Sequence, residues 1–387
     1  MAPDFDVIIV GSGPAGATAA YFLGEAGMGV LVLEKETLPR YKTCGGGLSI
    51  DFVKRQFPFS FDPVLEADVN AFCYAFDGRL VTIPIRKGVV GLVMRDKFDA
   101  YVLAHARAEI RQNAIVRQIE ESQDQVMVET KDGSQFTGRY LIGADGSNSV
   151  VAHSLGLRRN KTLAAAIEAE VRVVPEILRS LGDWPVFIFE EIRLGYLWIF
   201  PKADHLSVGI TALHPKRGEL QNTLAQVMER FGISLEGAFL HGHAIPIYTF
   251  RQPISTARSL LVRDAAGLVD PLSGEGIRYA IKSGRLAADA VLSGHPERYS
   301  QTVFRKIGIN HIFTLGFAQF FYQFQSICLA LGAPNPTATQ AIVDSLSDRA
   351  RTVDIAFRAF LSLPFFLLTN GIHRVGRTIG LAHNKGR

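Results

Sequence analysis

Three glycines near the start of the chain have the spacing of a nucleotide-binding turn. Gly11, Gly13 and Gly16 follow a short apolar run of β-branched residues in the pattern G-x-G-x-x-G. In such a turn the first glycine permits a tight bend, the second admits a pyrophosphate and the third lets the following helix pack on the strand. Glu34 lies about twenty positions further on, where an acid accepts hydrogen bonds from an adenosine ribose.

The elements around these glycines must position them for that role. The sequence predicts a strand over residues 5–10, a helix over 17–26 and a second strand over 29–34. This order makes one dinucleotide-binding unit, whose helix N-terminus offers free N–H groups and partial positive charge to a phosphate. A glycine-rich turn alone is a weak signal, but its surroundings favour the nucleotide interpretation.

A second glycine run follows a cysteine, at Cys44, Gly45, Gly46 and Gly47. Successive glycines leave a stretch of backbone without Cβ atoms, against which a flat ligand can lie. A flexible surface loop is the alternative interpretation of the glycines. Cys44 is either a residue beside the ligand or a small buried hydrophobe.

Further charged residues stand at the predicted ends of elements. Arg95 opens a helix predicted over 94–112, where it either reaches a phosphate or is an ordinary solvated arginine. Asp145 and Asp264 each end a buried strand, and the carboxyl ends of strands are where α/β sheets place ligand contacts. A helix predicted from Glu275 directs its N-terminal dipole toward a site that gains negative charge.

An aromatic stripe occurs in a β-rich stretch over residues 162–254. Tyr196, Trp198 and Phe200 alternate along one predicted strand and therefore share one face of it. Such a stripe packs a core more often than it lines a ligand pocket. We interpret the stretch as a sheet that forms the floor of a substrate cavity.

The C-terminal region is apolar and aromatic. Residues 307–332 contain no Asp, Glu, Lys or Arg, and their phenylalanines recur on one helical face; a second apolar segment, 359–368, precedes a basic end. Polar residues in the first segment and a proline in the second argue against membrane spans. Helices on a membrane surface or along an apolar groove fit better, and ordinary buried helices are an equal alternative.

Composition excludes several classes of function. The 387 residues are 48% hydrophobic and 20% charged, with a net charge of +4 and without basic runs interleaved with aromatics, so nucleic acid is not an expected partner. Three cysteines without zinc-ligand spacing indicate no metal and a reducing setting. An acidic start without a signal peptide predicts a cytoplasmic protein, with attachment to a membrane surface as the open question.

In their order along the chain these motifs resemble those of the geranylgeranyl reductase family of FAD-dependent oxidoreductases, which share the fold of p-hydroxybenzoate hydroxylase. The resemblance runs from Gly11 to Ile277. Residues 196–201 look like the family's Y-x-W-x-F-P segment, which lines the lipid-substrate cavity. For Tyr196 and Trp198 the resemblance therefore favours a cavity role over core packing.

The resemblance implies an α/β fold in three parts: a Rossmann-type FAD-binding domain, a β-rich substrate domain and a helical, apolar C-terminal region. The expected boundaries are 1–60, 90–160 and 256–300 for the FAD-binding domain, 61–89 and 161–255 for the substrate domain, and 301–387 for the C-terminal region.

It also implies roles for individual residues. Cys44, Tyr196 and Trp198 are the expected catalytic residues. The expected cofactor contacts are Gly11, Gly13, Ala15, Gly16, Glu34, Lys35, Arg40, Cys44, Gly45, Gly46, Arg95, Asp145, Asp264, Gly274, Gly276 and Ile277.

The implied activity is saturation of C=C bonds in a polyprenyl lipid of geranylgeranyl type, by hydride from reduced FAD. The chain has no second nucleotide motif after a strand, so the expected electron donor is external, either NADPH or an electron-transfer protein. Two alternatives stay open: an FAD-dependent monooxygenase or halogenase of the same fold, and a non-catalytic lipid-binding relative.

Two positions depart from the family pattern. Arg263 stands where the family usually has a glycine facing the cofactor, and Arg193 replaces a proline three residues before Tyr196. For Arg263 three outcomes are open: it points outward, pairs with a phosphate or impairs FAD binding.

Overall fold

A computed structural model describes residues 3–182, 184–333 and 335–351, together with Asp354, Arg358 and Leu361. The predicted apolar segment 359–368, apart from Leu361, and the basic C-terminal end lie outside the described residues.

The strands, in chain order, are β1 (Phe5–Val10), β2 (Val30–Leu33), β3 (Gly47–Ser49), β4 (Leu65–Val69), β5 (Ala71–Phe76), β6 (Arg79–Pro84), β7 (Val90–Val93), β8 (Glu109–Arg111), β9 (Val116–Glu121), β10 (Val126–Thr130), β11 (Gln135–Gly143), β12 (Thr162–Val171), β13 (Val186–Ile188), β14 (Gly195–Pro201), β15 (Leu206–Leu213), β16 (His241–Ile247) and β17 (Ser259–Leu261). The α-helices are α1 (Pro14–Glu25), α2 (Ile50–Gln56), α3 (Arg95–Ala104), α4 (Val150–Ser154), α5 (Pro175–Leu181), α6 (Glu219–Arg230), α7 (Arg263–Ala266), α8 (Ile277–Leu292), α9 (Tyr299–Val303), α10 (Ile309–Gln323), α11 (Gln325–Gly332) and α12 (Pro336–Leu346). A π-helical turn, Phe304–Gly308, joins α9 to α10.

The first sheet has the strand order β8-β2-β1-β11-β10-β9, with β17 beside β11. Its central strands β2, β1 and β11 run parallel, and their apolar residues are buried, as expected for a sheet covered on both faces. The helices α1 and α8 pack closely against each other beside this sheet, because Gly284 of α8 has no Cβ. A Cβ on Gly284 would lie 2.3 Å from the carbonyl oxygen of Ala15 in α1.

The second sheet has the order β16-β12-β15-β14-β13-β5-β6, and its two faces differ. Ile167, Ile210 and Leu197 follow one another across β12, β15 and β14 and pack with the buried residues of α6. The opposite face carries Trp198 and Phe200, which pack against β7 of a small third sheet, β3-β7-β4. The aromatic face of the second sheet therefore packs against the third sheet.

Two predicted elements end elsewhere than expected. The helix predicted to extend to residue 112 stops at Ala104, because Glu109–Arg111 pairs with β2 as strand β8; this tertiary pairing overrides the local helical pattern. The strand predicted to end in Asp264 stops at Leu261, and Asp264 lies in the short helix α7.

The apolar C-terminal segment forms two helices, α10 and α11, which break at Phe324. Phe313 is 52% exposed, and Phe320 and Phe324 are also exposed, so the predicted aromatic face does not pack inside the described part of the chain. No helix among the described residues is long and apolar enough to cross a membrane. The predicted α/β fold class with a helical C-terminal region is confirmed, and the domain boundaries stay predictions.

Candidate functional site

The first glycine turn is shaped by contacts that only glycine permits. Gly11 has a φ of 99°, and a Cβ there would lie 2.4 Å from the carbonyl oxygen of Ala144. A Cβ at Gly16 would lie 2.0 Å from the carbonyl oxygen of Gly11. At Gly13, by contrast, the nearest atom to such a Cβ is Nη2 of Arg40, at 3.5 Å. The turn thus closes against β11 and leaves open the space in front of Gly13.

That open space lies at the N-terminus of α1. No side chain caps this helix, and Ala15 and Gly16 occupy its first turn. The N–H groups of a first turn have no partner within the helix and attract anions. A phosphate group therefore fits between α1 and Arg40.

Glu34 is buried at the end of β2. It accepts hydrogen bonds from the backbone N–H of Ser12 at 3.0 Å and from the Ser12 hydroxyl at 2.5 Å, and Arg40 Nε lies 3.4 Å away. Burial raises the pKa of Glu34, but the Ser12 hydrogen bonds and the Arg40 charge outweigh it and hold the pKa below its usual value. Lys35, by contrast, projects into solvent and pairs with Glu36.

Arg95 is a buried cation with one unused donor. Its Nε and Nη2 each donate to Asp99 at 2.8 Å, and Asp99 also lies 3.6 Å from Arg40. Burial lowers the pKa of Arg95, and the Asp99 carboxylate more than reverses this, so that the pKa is raised. Nη1 of Arg95 is buried without a hydrogen-bond partner. A buried cation with a spare N–H suits a phosphate oxygen.

A second group of charges surrounds Lys42. Its Nζ lies 2.8 Å from His243 Nε2, which is 3.9 Å from Asp264 Oδ2. Burial first, and then the positive charge of Arg95, lower the pKa of Lys42 to about 7. Burial likewise lowers the pKa of His243. Around neutral pH, Lys42 therefore exchanges between its charged and neutral forms.

Two predicted acids each have an oxygen without a partner. Asp145 accepts one hydrogen bond, from the Val151 N–H at 3.1 Å, and its Oδ1 is buried and unpaired. Oδ1 of Asp264 is likewise buried without a hydrogen-bond partner. Burial raises the pKa of Asp145; burial also acts to raise that of Asp264, but Arg263, His243 and Lys42 lower it below its usual range. Unpaired buried acceptors suit a ligand with hydroxyl groups.

Arg263 points into the site. Its backbone has a φ of 40°, its Nη1 donates to the Asp264 carboxylate, and its Nε donates to the Gly276 carbonyl at 3.3 Å. A Cβ at Gly276 would lie 2.0 Å from Nη2 of Arg263. Arg263 therefore occupies the space in front of Gly276, next to Ile277 at the start of α8.

The triple-glycine run packs against the aromatic strand β14. A Cβ at Gly45 would lie 2.8 Å from the Phe200 ring and 2.9 Å from Trp198 Nε1. Gly46 has a φ of 71°, and a Cβ there would lie 1.9 Å from the carbonyl oxygen of Val93. Because Gly45 and Gly46 are buried, the interpretation as a flexible surface loop is wrong. These glycines allow close packing between the loop, β14 and β7.

The same strand reaches the loop before α8. The Tyr196 hydroxyl donates to the carbonyl of Ser273 at 2.5 Å and lies 3.7 Å from the position of a Cβ on Gly274. Trp198 is 7% exposed, and its Nε1 has no hydrogen-bond partner. Strand β14 therefore joins the Cys44 loop to the start of α8, two segments that are more than 200 residues apart.

Sequence reasoning missed several charged residues of the site. Lys42 and His243 belong to the group of charges around Lys42 and Asp264. Lys202 Nζ donates to the carbonyls of Gly45 and Val93 at 2.7 and 3.2 Å. Glu168 is fully buried next to Cys44. The one available signal for Glu168 was an acid within the otherwise small and apolar run of residues 163–169.

The chain matches the FAD binding domain family over residues 4–50 and 92–190. A geranylgeranyl diphosphate reductase of Rhodobacter capsulatus is 30% identical over 306 residues, 75% of each chain. Digeranylgeranylglycerophospholipid reductase 2 of Methanothermobacter thermautotrophicus is 31% identical over 336 residues, 79% of this chain and 85% of that protein. A solved structure of a geranylgeranyl bacteriochlorophyll reductase-like protein from Thermoplasma acidophilum superposes with a TM-score of 0.74 at 23% identity, over 94% of this chain and 98% of that one.

A glycine turn on a parallel sheet, a buried acid after the second strand and these matches define an FAD-dependent oxidoreductase. Within that class, the chain belongs to the geranylgeranyl reductase family. The resemblance inferred from the motifs is thereby confirmed. The cofactor also fits the site, since the open face of Gly13, the spare N–H of Arg95 and the unpaired oxygens of Asp145 and Asp264 match phosphates and hydroxyls.

Proposed function

We propose that the chain saturates C=C bonds of a polyprenyl lipid of geranylgeranyl type. The names of relatives at about 30% identity support the substrate class. The single structural observation that carries the proposal is the contact of β14 with both the Cys44 loop and the loop before α8. When bound, FAD supplies the hydride, because such chemistry belongs to the cofactor.

Three groups of residues would hold FAD. Gly11, Gly13, Ala15, Gly16, Arg40 and Arg95 would receive the pyrophosphate, with Glu34 toward the adenosine ribose. Asp145 and Asp264 would accept from hydroxyl groups. Gly45, Gly46, Gly274, Gly276 and Ile277 would border the flavin end, with Lys35 at the outer edge.

The catalytic face is proposed to consist of Cys44, Tyr196 and Trp198. Tyr196 ties β14 to the loop before α8, and Trp198 and Phe200 present buried aromatic surface. Such a surface excludes water and accepts a hydrocarbon chain. The role proposed for these residues is to orient the alkene, and Cys44 is proposed to lie beside the reacting centre.

The exposed aromatic face of α10 and α11 supports peripheral attachment to a membrane. Phe313, Phe320 and Phe324 are exposed there, and the exposed Arg305 and Lys306 lie about two turns before Phe313 along the chain. Exposed aromatics beside cations favour an anionic lipid surface, from which a prenyl substrate would be taken. The electron donor is proposed to be external, NADPH or an electron-transfer protein, and assays with each as sole reductant distinguish them.

The test is anaerobic turnover of dithionite-reduced holoenzyme against prenyl diphosphates, quinones and glycerolipids, with products read by mass. Products should gain two hydrogens per reduced double bond. A product that gains oxygen, and forms only when O₂ is present, would instead identify a monooxygenase. Trp198→Ala should lower the rate strongly, whereas Trp184→Ala, at the other tryptophan, which is exposed and donates to Asn70, should leave it unchanged.

A further inference from the structure

A carboxyl group lies buried directly beside the triple-glycine loop. Glu168, on β12, is 0% exposed, and the backbone N–H of Cys44 donates to its Oε2. The Ser207 hydroxyl donates to its Oε1 at 2.5 Å. In the register of the second sheet, Gly209 of β15 lies between Glu168 and Trp198. Glu168 therefore belongs to the same sheet face as the aromatic stripe.

Glu168 has no cation of its own. Among the ion pairs of the described residues none includes it, and the nearby Lys202 donates to two backbone carbonyls instead. A buried carboxylate without a cation beside it is unfavourable, and such a group remains protonated to higher pH. Burial first, and then the negative charge of Glu170, raise the pKa of Glu168 to about 7, against the hydrogen bonds from Ser207 and Cys44.

The titratable groups facing Glu168 come from each element packed around it. On its own strand Glu170 lies on the same face and is 3.0 Å from His205. His241 of β16 is its register partner, and the ring of Tyr41, three residues before Cys44, lies against His241 with ring centroids 4.1 Å apart and planes tilted by 33°. The full set is Tyr41, Cys44, Glu170, Lys202, His205 and His241.

Two other acids of the site, Asp264 and Glu34, are less suited to carry a proton at neutral pH. The pKa of Asp264 is lowered, and the hydrogen bonds and charge around Glu34 lower its pKa as well. Lys42 is the competing group, but it faces His243 and Asp264 rather than the aromatic face. Glu168 is the buried acid that combines a neutral form with contact to the Cys44 loop.

We propose that Glu168 is the proton reservoir of the site. The proposal rests on the proposed function: saturating one double bond forms one C–H bond with a hydride and one with a proton. The O–H bond of Glu168 breaks to supply that proton, two electrons pass with the hydride from reduced flavin to the substrate, and the carboxylate regains a proton from solvent. As a proton-supplying and positioning residue, Glu168 sets the pH dependence of the reaction.

The experiment compares wild type, Glu168→Gln and Glu121→Gln in single turnovers of reduced holoenzyme with the best prenyl substrate, from pH 5 to pH 9. The wild-type rate should fall above about pH 7, as the acid form is lost. Glu168→Gln should be slower by on the order of 100-fold and nearly independent of pH. Glu121, on β9 of the first sheet, is a matched control, since it accepts two hydrogen bonds, as Glu168 does, here from hydroxyls at 2.5 and 2.6 Å.

A second readout does not depend on turnover. Infrared spectra of the wild-type protein should show a carboxylic acid C=O band that disappears through about pH 7 and that Glu168→Gln removes. If Glu168→Gln fails to fold, Glu168→Asp serves instead and should retain a pH-dependent rate of lower magnitude.

The outcomes separate the two proposals. If the wild type saturates no prenyl compound, the proposed function fails, whatever the infrared titration shows. If the wild type is active but Glu168→Gln retains its rate and pH profile, Glu168 is not the reservoir. A pH profile that survives Glu168→Gln and disappears in Lys42→Met would assign the proton to Lys42 and overturn the proposal.

Discussion

The site has a nucleotide side, around Gly11 and Glu34, and an aromatic side, around Trp198 and Glu168. These two sides are built in different ways. On the nucleotide side, the glycines and Glu34 are close in sequence, and Glu34 and Asp99 have cationic neighbours. On the aromatic side, Glu168, Gly209 and Trp198 come from separate strands and meet through sheet register, and the acid has no cation. The nucleotide side therefore presents fixed charges to a charged ligand, whereas the aromatic side buries an acid that has no cation beside it.

Two alanine substitutions would test the nucleotide side most severely. Gly16→Ala should cost about 4 kcal/mol of stability and abolish FAD binding, because its Cβ would overlap the Gly11 carbonyl. Gly13→Ala is the matched control for folding, since its Cβ has room. It should unfold at the wild-type temperature yet bind FAD more weakly. Thermal unfolding of apoprotein and FAD titration measure both effects, and equal unfolding temperatures for the two variants would contradict this account.

The pH dependence of stability tests the aromatic side. The pKa of Glu168 is higher in the folded chain, about 7, than its ordinary value of 4.5. The folded state therefore binds the extra proton, and this stability is present below pH 4.5 and lost as pH rises through 7. The stability of Glu168→Gln relative to wild type should rise by on the order of 3 kcal/mol across this window. Denaturant unfolding at pH 4.5 and 8 measures it, and a difference that does not change with pH would refute the buried neutral acid.

A smaller substitution tests the register that joins Glu168 to Trp198. A Cβ at Gly209 would lie 2.2 Å from the Trp198 ring, so Gly209→Ala should cost about 2 kcal/mol of stability. FAD binding should change little, since the nucleotide side is built from other elements. The comparison of the two sides would fail if this variant lost FAD while it remained as stable as wild type.

The smallest effect is expected at the boundary of the two sides. Arg263 pairs with Asp264 and covers Gly276, so bound FAD must compete with it. Arg263→Gly should bind FAD about tenfold more tightly, a change of about 1.4 kcal/mol. Fluorescence titration measures the affinity, and weaker binding would show that the guanidinium is a ligand of the cofactor. Arg258→Gly, at an arginine bound to the Gln123 carbonyl, is the control.

The features that the sequence predicted are local patterns, and those that it missed depend on contacts between distant segments of the chain. The turn around Gly11 and the acid at Glu34 are local patterns, and the structure joins them through Ser12. The period-two stripe at Trp198 is also local, and its aromatic residues share one face of β14. The helix after Arg95 ended early because pairing with β2 is a long-range contact. The sequence did not identify Glu168, because the residues around it predict only a buried strand. The role proposed for Glu168 depends on its contact with Cys44, which is 124 positions away along the chain.

The C-terminal helices show a second feature that the sequence could not predict, the burial of a helical face. Their phenylalanine spacing predicted a helix correctly, although the helix breaks at Phe324, and spacing alone does not say whether a helical face is buried. The structure leaves Phe313, Phe320 and Phe324 exposed. The sequence identified Arg263 as a departure from the family pattern, but only its contacts with Asp264 and Gly276 show where its side chain lies.

The flavin absorbance itself gives the most direct test of the central claim, that the β14 face brings a prenyl alkene to reduced FAD. Holoenzyme reduced with stoichiometric dithionite and kept free of oxygen should remain bleached until a geranylgeranyl lipid is added. The yellow band should then return, with one flavin oxidised per double bond saturated. A band that stays bleached with every prenyl compound, and returns only when O₂ is admitted, would contradict the account.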